Sequence, residues 1–171
     1  MWLWVDLEMT GLDSAQDVIL EVAAIKTDQD LNIIGDVFEA VVHQSDSVLD
    51  NMNEWCQDQH QKSGLVDRVK QSNYTIEQVE EHLLTWLGDD SHDIILCGNS
   101  IHTDRRFIDR YMPRLAERLH YRMIDVTSIK LCVEAWQPKN VSGFKSSDHR
   151  ALSDIKASID ELKHYKSLFL S

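Results

Sequence analysis

Hydrophobic and polar residues alternate in short runs over the first quarter of the chain. Three runs rich in apolar and β-branched residues are separated by polar segments, and Asp28-Gln29-Asp30 between the second and third is typical of a turn. Runs of this length and composition predict β-strands. The predicted strands cover Trp2–Glu8, Val18–Thr27 and Ile33–Val42. Consecutive strands with short connections favour an antiparallel meander.

The hydrophobic spacing changes at residue 75. Thr75 followed by Gln78 is a capping-box pattern, and the apolar residues after it share one side of a helix. We predict strands at Ile94–Gly98 and Met123–Val126, helices starting near Thr103 and at Pro113, a helix over Thr127–Trp136, a loop over Pro138–Asp148, and a last helix with Leu152, Ile155, Ile159 and Leu162 on one side. Strands followed by alternating helices and strands indicate an α/β domain in which helices pack on a mixed sheet.

The composition is that of one acidic globular domain over residues 1–171. The 171 residues include 29 Asp and Glu against 17 Lys and Arg, which gives a net charge of −12. A chain of this length buries about two thirds of its unfolded surface, enough for a core without disulfides or structural metals. Binding of long nucleic acids rests on many Lys and Arg contacts with phosphates. The charge therefore argues against long DNA or RNA as a ligand.

Cysteine spacing and hydropathy indicate the cellular compartment. Cys56, Cys97 and Cys132 lie far apart and form no Cys-x-x-Cys pair, which is typical of a reducing compartment. Asp6 and Glu8 interrupt the first apolar run, so no signal peptide is expected. No segment approaches the roughly 20 apolar residues of a membrane span. We expect a cytoplasmic protein that does not associate with membranes.

Acidic residues are concentrated near the N-terminus, where they suggest a cation site. Residues 1–55 contain twelve Asp and Glu but one basic residue, Lys26. Asp6 and Glu8 are two positions apart at the end of an apolar strand, so both side chains leave the same face. Charged groups in such a place are costly unless a function requires them. A solvated acidic surface remains the alternative for the segment as a whole.

Three further residues could complete this site. Asp104 follows the fourth predicted strand, although an acid at a helix start is also favoured by the helix dipole alone. His149 and Asp154 are five residues apart, about 140° around an ideal helix, so both can address one site only if His149 lies at or before the first turn. The same spacing at His120 and Asp125 falls in a strand-like segment and puts the two on opposite faces. We therefore expect Asp125 to cap the next helix instead.

Four carboxylates and one imidazole are suited to metal-dependent phosphodiester hydrolysis. Oxygen ligands favour Mg²⁺ or Mn²⁺ over zinc. Four negative charges balance two divalent ions, and two ions about 4 Å apart can stabilise both the attacking and the leaving oxygen of a phosphoryl displacement. A histidine, whose ordinary pKa is about 6.5, can take a proton from the attacking water.

Three segments carry a resemblance to a known family. They are Asp-Leu-Glu-Met-Thr-Gly-Leu at 6–12, Gly-Asn-Ser-Ile-His-Thr-Asp-Arg-Arg-Phe at 98–107 and His-Arg-Ala-Leu-Ser-Asp-Ile at 149–155. They resemble the three motifs of the DEDDh exonuclease superfamily and, more narrowly, those of the oligoribonucleases. The similarity continues through the segments between the motifs and covers essentially the whole chain. Each motif alone is moderately specific, whereas their order with these intervening segments is very specific.

The resemblance implies a ribonuclease H-like fold, with a mixed five-stranded sheet flanked by helices. It implies a homodimer that hydrolyses very short RNA, dinucleotides above all, in the 3′-to-5′ direction to nucleoside 5′-monophosphates. By position in the motifs, two divalent metal ions would be held by Asp6, Glu8, Asp104 and Asp154, and His149 would be the general base. The substrate would be bound by Leu12 as a wedge against the bases, Trp55 as a stacking surface, and Ser100, His60, Tyr121 and Arg122 around the terminal phosphate, the last two from the partner subunit.

Three other functions remain open at this point. The Asp6-x-Glu8-x-Thr10 pattern is similar to the nucleophile motif of haloacid dehalogenase-type phosphatases, but Glu8 departs from that motif and the chemistry has no need of His149. A 3′ exonuclease acting on DNA would share the same acids and histidine. A degenerate nuclease fold that only binds would not need the complete set of acids. Ser153 stands where oligoribonucleases usually carry a second acid, and we expect this difference to tune the site rather than abolish it.

Overall fold

The computed structural model describes residues 1–88, 93–137 and 150–169, so the predicted loop over Pro138–Asp148 lies outside the described residues. The strands are β1 (Trp2–Met9), β2 (Ile19–Thr27), β3 (Phe38–Val41), β4 (Ile94–Gly98) and β5 (Leu119–Asp125). The helices are α1 (Asp46–Asp50), α2 (Glu54–Lys62), α3 (Leu65–Gln71), α4 (Ile76–Leu87), α5 (His102–Tyr111), α6 (Pro113–Ala116), α7 (Val126–Trp136) and α8 (Ala151–Phe169). Among these described helices, none has the length and apolar character needed to cross a membrane.

One five-stranded sheet, in the order β3-β2-β1-β4-β5, forms the centre of the fold. β1, β2 and β3 pair antiparallel as the predicted meander, whereas β4 pairs with β1, and β5 with β4, in parallel. Parallel neighbours end at the same edge of a sheet, so the carboxyl ends of β1 and β4 lie side by side. The predicted mixed α/β sheet is confirmed, and its topology brings the residues after β1 and β4 together.

Alternation along β1 directs its side chains into two cores. Leu3 and Val5 pack with apolar residues of α4, α5 and α6, whereas Trp4 faces the opposite core, which includes residues of α7 and α8. Because side chains alternate along a strand, Asp6 and Glu8 leave β1 on the same face as Trp4. α8 contacts β1 directly. The two strand acids therefore point toward the side of the sheet that α8 covers.

Several predicted helix signals are confirmed. The Thr75 hydroxyl accepts a hydrogen bond from the backbone N–H of Gln78, and the Gln78 side chain accepts one from the backbone N–H of Thr75. Pro113 is the first residue of α6. In α8, the predicted apolar side packs against the sheet through Ile155 and Ile159, which are buried. These contacts fix α8, and with it the acid in its first turn, against β1.

The third predicted strand, Ile33–Val42, is shorter than expected. Regular pairing covers Phe38–Val41, and Ile33 makes a single antiparallel bridge with Thr27. Gly35 adopts a φ of 68°, a left-handed conformation that interrupts an extended strand. The β-branched residues before the strand are therefore exposed and do not continue the regular pairing of the sheet.

The strand predicted over Met123–Val126 has different bounds. It begins at Leu119 and ends at Asp125, and Val126 is the first residue of α7. The side chain of Asp125 accepts a hydrogen bond from the backbone N–H of Thr127, which caps the helix. The predicted capping role of Asp125 is confirmed, and this cap explains why the strand ends one residue earlier than expected.

Candidate active site

Three carboxylates converge at the carboxyl end of β1. Asp6 and Glu8 leave one face of the strand, and Asp154 lies in the first turn of α8, which packs on that face. One carboxylate oxygen of each residue lies within 4.8 Å of those of the other two. We call these three residues the carboxylate cluster. Acids this close repel one another unless protons or cations are present, so the arrangement is suited to a cation.

Asp104 lies next to the carboxylate cluster but is not one of the three converging acids. It belongs to the first turn of α5 and is 7% exposed. Its Oδ1 accepts a hydrogen bond of 3.0 Å from the backbone N–H of Leu7. Leu7 stands between Asp6 and Glu8 in the chain, so Asp104 is fixed against the strand segment that carries both. Asp104 is thus a helix-start acid and a neighbour of the cluster at once.

Burial and mutual repulsion raise the pKa values of these carboxyl groups. Burial, and next the charges of Asp104 and Glu8, raise the pKa of Asp6 well above its ordinary value. Burial, and next the charges of Glu21 and Asp154, raise the pKa of Glu8 to about 8. Burial raises the pKa of Asp104 to about 7, although the hydrogen bond from the Leu7 backbone opposes the shift. Near neutral pH Glu8 and a fraction of Asp104 therefore retain protons, which a divalent cation can displace.

His149, the predicted general base, lies outside the described residues. The structure begins again at Arg150, whose carbonyl accepts a hydrogen bond from the backbone N–H of Asp154. α8 starts at Ala151. Position 149 therefore precedes the helix in sequence, as the predicted pairing with Asp154 requires, and the role of His149 stays a prediction.

A groove of about 780 Å³ opens beside Glu8. Its walls include Leu12, Trp55 and His60, three of the residues predicted to bind substrate. Leu12 is 71% exposed and Trp55 is 65% exposed. Large exposed apolar side chains beside a groove offer surfaces on which nucleic acid bases can stack. The structure therefore brings these three residues and one acid of the carboxylate cluster to a single groove.

A tight loop after β1 carries Leu12. The Asp17 carboxylate accepts a hydrogen bond from the Thr10 hydroxyl, and the Tyr111 hydroxyl donates one to the Asp17 carbonyl. The same carboxylate lies against Gly11, where a Cβ would come within 2.4 Å of it. Glycine at position 11 permits this close approach, so the Thr-Gly-Leu end of the first motif has a physical basis.

His60 is buried at the base of the groove, with 4% exposure. Its Nε2 lies 2.8 Å from the Met9 carbonyl oxygen, so Nε2 carries the proton and donates it to that carbonyl. Its Nδ1 lies 3.9 Å from Oε2 of Glu8. Burial lowers the pKa of His60, which favours the neutral ring. The unprotonated nitrogen of that neutral ring then faces the carboxylate cluster.

Ser100 follows β4 at the same sheet edge, with a φ of 49°. Its backbone N–H donates a hydrogen bond to the Thr127 hydroxyl, which in turn donates to the side-chain carbonyl of Asn99. The Asn99 amide donates to the Ser158 hydroxyl, which donates to the backbone carbonyl of Asp154. A chain of hydrogen bonds thus joins Ser100 to the helix that carries Asp154.

Tyr121 and Arg122 lie on β5, an edge strand of the sheet. β4 separates β5 from β1, and neither residue lines the groove. Tyr121 is 74% exposed, and the guanidinium of Arg122 lies over its ring, 5.2 Å from the ring centroid. Within one chain the structure does not bring these two residues to the groove. Their contribution from a partner subunit stays a prediction.

Glu21 is a candidate that the sequence patterns did not single out. It lies on β2 directly opposite Glu8 and is 1% exposed. The signal that could have found it is an acid inside the apolar run Val18–Thr27, because a charge in a buried strand is costly unless it is compensated.

Similarity to known proteins covers nearly the whole chain. The family model described as Exonuclease matches residues 3–162. The chain is 48% identical over 166 residues to the probable oligoribonuclease of Dictyostelium discoideum, which covers 96% of this chain and 87% of the relative. It is 47% identical over 172 residues to the oligoribonuclease of Francisella tularensis subsp. novicida, which covers 99% of this chain and 96% of the relative. It is 45% identical over 172 residues to the probable oligoribonuclease of Schizosaccharomyces pombe, and the match covers 99% of this chain and 68% of the relative.

Solved structures share the fold. A zinc-bound complex of E. coli exonuclease I with single-stranded DNA has a TM-score of 0.76 at 16% identity, over 98% of this chain and 40% of the exonuclease I chain. The exonuclease I of Methylocaldum szegediense has a TM-score of 0.71 at 17% identity, over 99% of this chain and 42% of the exonuclease I chain. This chain therefore spans less than half of those proteins, and the likeness confirms the ribonuclease H-like exonuclease fold. From the family match and the full-length relatives, the chain belongs to the oligoribonuclease family, within the DEDDh superfamily of 3′-to-5′ exonucleases.

Proposed function

We propose that very short RNAs, dinucleotides above all, are the substrates of this 3′-to-5′ exoribonuclease, and that nucleoside 5′-monophosphates are its products. The observation that carries the proposal is the groove in which the exposed side chains of Leu12 and Trp55 adjoin Glu8 of the carboxylate cluster. Among the described residues that line this groove there is no Lys or Arg. A long polyanion would find no basic track there, whereas one or two bases could stack. The names of the relatives agree with this proposal.

The donor set of the carboxylate cluster fits divalent cations. One carboxylate oxygen of each of Asp6, Glu8 and Asp154 lies within 4.8 Å of those of the other two, and the charge of Asp104 acts on Asp6. Carboxylate oxygens favour Mg²⁺ or Mn²⁺. We propose that the four acids hold two such ions. When bound, these ions supply the positive charge that stabilises the attacking and leaving oxygens of a phosphoryl displacement.

His149 is proposed to accept the proton of the attacking water. In sequence it stands two residues before α8, whose first turn contains Asp154. A carboxylate near a histidine stabilises the protonated ring, so a position beside Asp154 would favour proton acceptance. General-base catalysis of this kind typically contributes about 10²- to 10⁴-fold to the rate.

Substrate contacts are proposed for the groove and for the turn after β4. Leu12 would separate the bases and Trp55 would stack on one of them, since both are exposed beside the cluster. Ser100 would bind the terminal phosphate. His60 would do so only after its Nδ1 gains a proton, because its Nε2 proton is donated to a backbone carbonyl. A bound phosphate favours that protonation through its negative charge.

Two further proposals concern the oligomeric state of the enzyme and its location in the cell. A homodimer would let Tyr121 and Arg122 reach the phosphate of the partner's substrate. The exposed ring of Tyr121 on an unpaired edge strand supports an interface there, since unpaired edges and exposed apolar surfaces favour association. A cytoplasmic location stays a prediction.

Product analysis tests the substrate proposal. The chain is incubated in Mn²⁺ with 5′-labelled RNAs of two to about ten nucleotides, and with DNA of the same lengths. We expect the RNA dinucleotide to be consumed fastest and nucleoside 5′-monophosphate to be released. Degradation of long RNA as readily as the dinucleotide would contradict the narrow substrate class. A preference for the DNA series would favour a DNA exonuclease instead.

The same preparation tests the remaining alternatives. Release of inorganic phosphate from a phosphomonoester, with a covalent aspartyl-phosphate, would support the phosphatase alternative. Failure to release any mononucleotide in Mn²⁺ would support a domain that only binds. Asp6→Asn serves as the control, because removal of one charge from the cluster should abolish cleavage unless a contaminating nuclease is present.

A further inference from the structure

Glu8 and Glu21 face each other across β1 and β2. They are paired in the antiparallel register, in which partners project from one face with Cβ atoms about 5 Å apart. Glu21 is enclosed by the protein, so its carboxylate has little access to water. Like charges in this arrangement destabilise a sheet. The pair therefore requires a proton or a compensating positive charge.

Arg68 supplies that charge from α3, a helix that contacts β2. Its guanidinium donates a hydrogen bond to Oε1 of Glu21. The same nitrogen lies 3.6 Å from Oε1 of Glu39, an exposed residue on β3. The guanidinium is thus held between a buried carboxylate next to the cluster and an exposed carboxylate at the edge of the sheet.

The charges of Glu21 and Arg68 both reach Glu8. Glu21 is the register partner of Glu8, and the guanidinium of Arg68 is hydrogen-bonded to the Glu21 carboxylate. A cation bound at Glu8 would be attracted by the negative charge of Glu21 and repelled by the positive charge of Arg68. Because Glu21 stands directly opposite Glu8 in the register, removal of either charge should change how strongly the cluster holds a cation.

We propose that Glu21 and Arg68 are positioning residues that together set the affinity of the carboxylate cluster for divalent cations, although neither binds the cation. The proposal rests on the proposed function in one respect, that the cluster holds a cation. Glu21 strengthens cation binding, and Arg68 keeps Glu21 charged and fixed behind Glu8. A purely structural ion pair would contribute to folding alone, and metal affinity would then not depend on which of the two charges is removed.

Isothermal titration of the metal-stripped full chain with Mn²⁺, in the absence of RNA, tests this proposal. Glu21→Gln keeps the shape of the side chain and can still accept the hydrogen bond from Arg68. We expect it to bind Mn²⁺ about five- to tenfold more weakly, because the charge of Arg68 is no longer balanced. Arg68→Gln removes a repelling charge but also the group that keeps the buried Glu21 charged, so it should bind Mn²⁺ within about twofold of the unmodified chain. The double variant should return to within about twofold of the unmodified chain.

Glu39→Gln is the matched control. It removes a carboxylate from the same arginine, but Glu39 is exposed and its charge is screened by water. Its Mn²⁺ affinity should be unchanged. In cleavage of an RNA dinucleotide, Glu21→Gln should raise the Mn²⁺ concentration needed for half-maximal activity, whereas kcat at saturating Mn²⁺ should stay within about threefold.

Equal Mn²⁺ affinity in Glu21→Gln and the unmodified chain would overturn the proposal, and so would equal weakening by Glu21→Gln and Arg68→Gln. If Glu21→Gln does not fold, as judged by circular dichroism, Arg68→Lys takes its place. That variant keeps the charge and should keep the affinity, so a tenfold change would overturn the proposal. Because titration uses Mn²⁺ without RNA, its outcome is separate from that of the substrate assignment.

Discussion

The carboxylate of Asp104 accepts a hydrogen bond from the backbone N–H of Leu7, almost one hundred residues earlier in the chain. This bond ties the start of α5 to the strand residue that stands between Asp6 and Glu8. Asp104 can therefore act on the site in two ways, through its charge and through the position of the strand.

Two substitutions separate these contributions of Asp104. Asp104→Asn can still accept the bond from Leu7 but lacks the charge, whereas Asp104→Ala lacks both. We expect Asp104→Asn to lower Mn²⁺ affinity about 10- to 100-fold with little loss of stability, and Asp104→Ala to lower the melting temperature as well. Calorimetric titration and thermal unfolding measure the two effects. Unchanged titration of Asp104→Ala would remove this residue from the proposed ligands.

His149→Ala tests the proposed base. We expect kcat for an RNA dinucleotide to fall about 10²- to 10⁴-fold while Mn²⁺ affinity is retained, because the imidazole moves a proton and does not bind the cation in this proposal. Kinetics at saturating Mn²⁺, together with titration, check both parts. Loss of Mn²⁺ binding in this variant would show that the base assignment is wrong.

The stability of the metal-stripped chain should fall as pH rises from about 4 to 8. The pKa values of Glu8 and Asp104 in the folded chain are raised to about 8 and about 7, above their ordinary values near 4. Between about pH 4 and pH 8 the folded chain therefore holds protons that the unfolded chain has lost, so stability is greatest at the low end and falls as pH rises.

Thermal unfolding at pH 6 and pH 8, in chelator and in Mn²⁺, measures this dependence. We expect the melting temperature in chelator to be lower at pH 8 by about 3 °C or more, and the gain from Mn²⁺ to be larger at pH 8. A melting temperature in chelator that rises from pH 6 to pH 8 would contradict the raised pKa values.

The groove residues should act on substrate binding more than on stability. Leu12→Ala and Trp55→Ala each remove an exposed side chain, so the melting temperature should change little. Base stacking contributes about 1–3 kcal/mol per base, so KM for a dinucleotide should rise about 5- to 150-fold. Trp136→Ala is the matched control, since Trp136 is equally exposed but lies on α7, outside the groove. An equal rise in KM for Trp136→Ala would argue against a specific groove.

The sequence predicted the parts of the site that depend on local spacing. Asp6 and Glu8 stand two apart on a strand, and a period of two puts both on one face whatever the rest of the chain does. The apolar side of α8 likewise follows from helical periodicity, and it brings Asp154 to that face. A period of two also puts His120 and Asp125 on opposite faces of a strand, which predicts Asp125 as a helix cap, and the structure confirms that cap.

The remaining parts depend on pairing between distant segments. The opposition of Glu8 and Glu21 requires the exact register of β1 with β2, which a one-residue slip would abolish. The bond between Asp104 and Leu7 requires the parallel pairing of β4 with β1. The error at Ile33–Val42 has a local cause, since the β-branched residues there resemble a strand while Gly35 turns the chain. The sequence patterns predict none of the helices α1, α2 and α3. Each of them is too short to show a sustained apolar side.

Asp6 and Asp154, which meet in the carboxylate cluster, come from opposite ends of the chain. During synthesis, β1 leaves the ribosome early, but the cluster cannot form until α8 has been made and has docked on the sheet. Contacts between segments so far apart in sequence are slow to form, because the intervening chain must first be ordered. Cation binding during refolding should therefore report the final docking step, and a nascent chain that lacks α8 would carry the strand acids without a complete site.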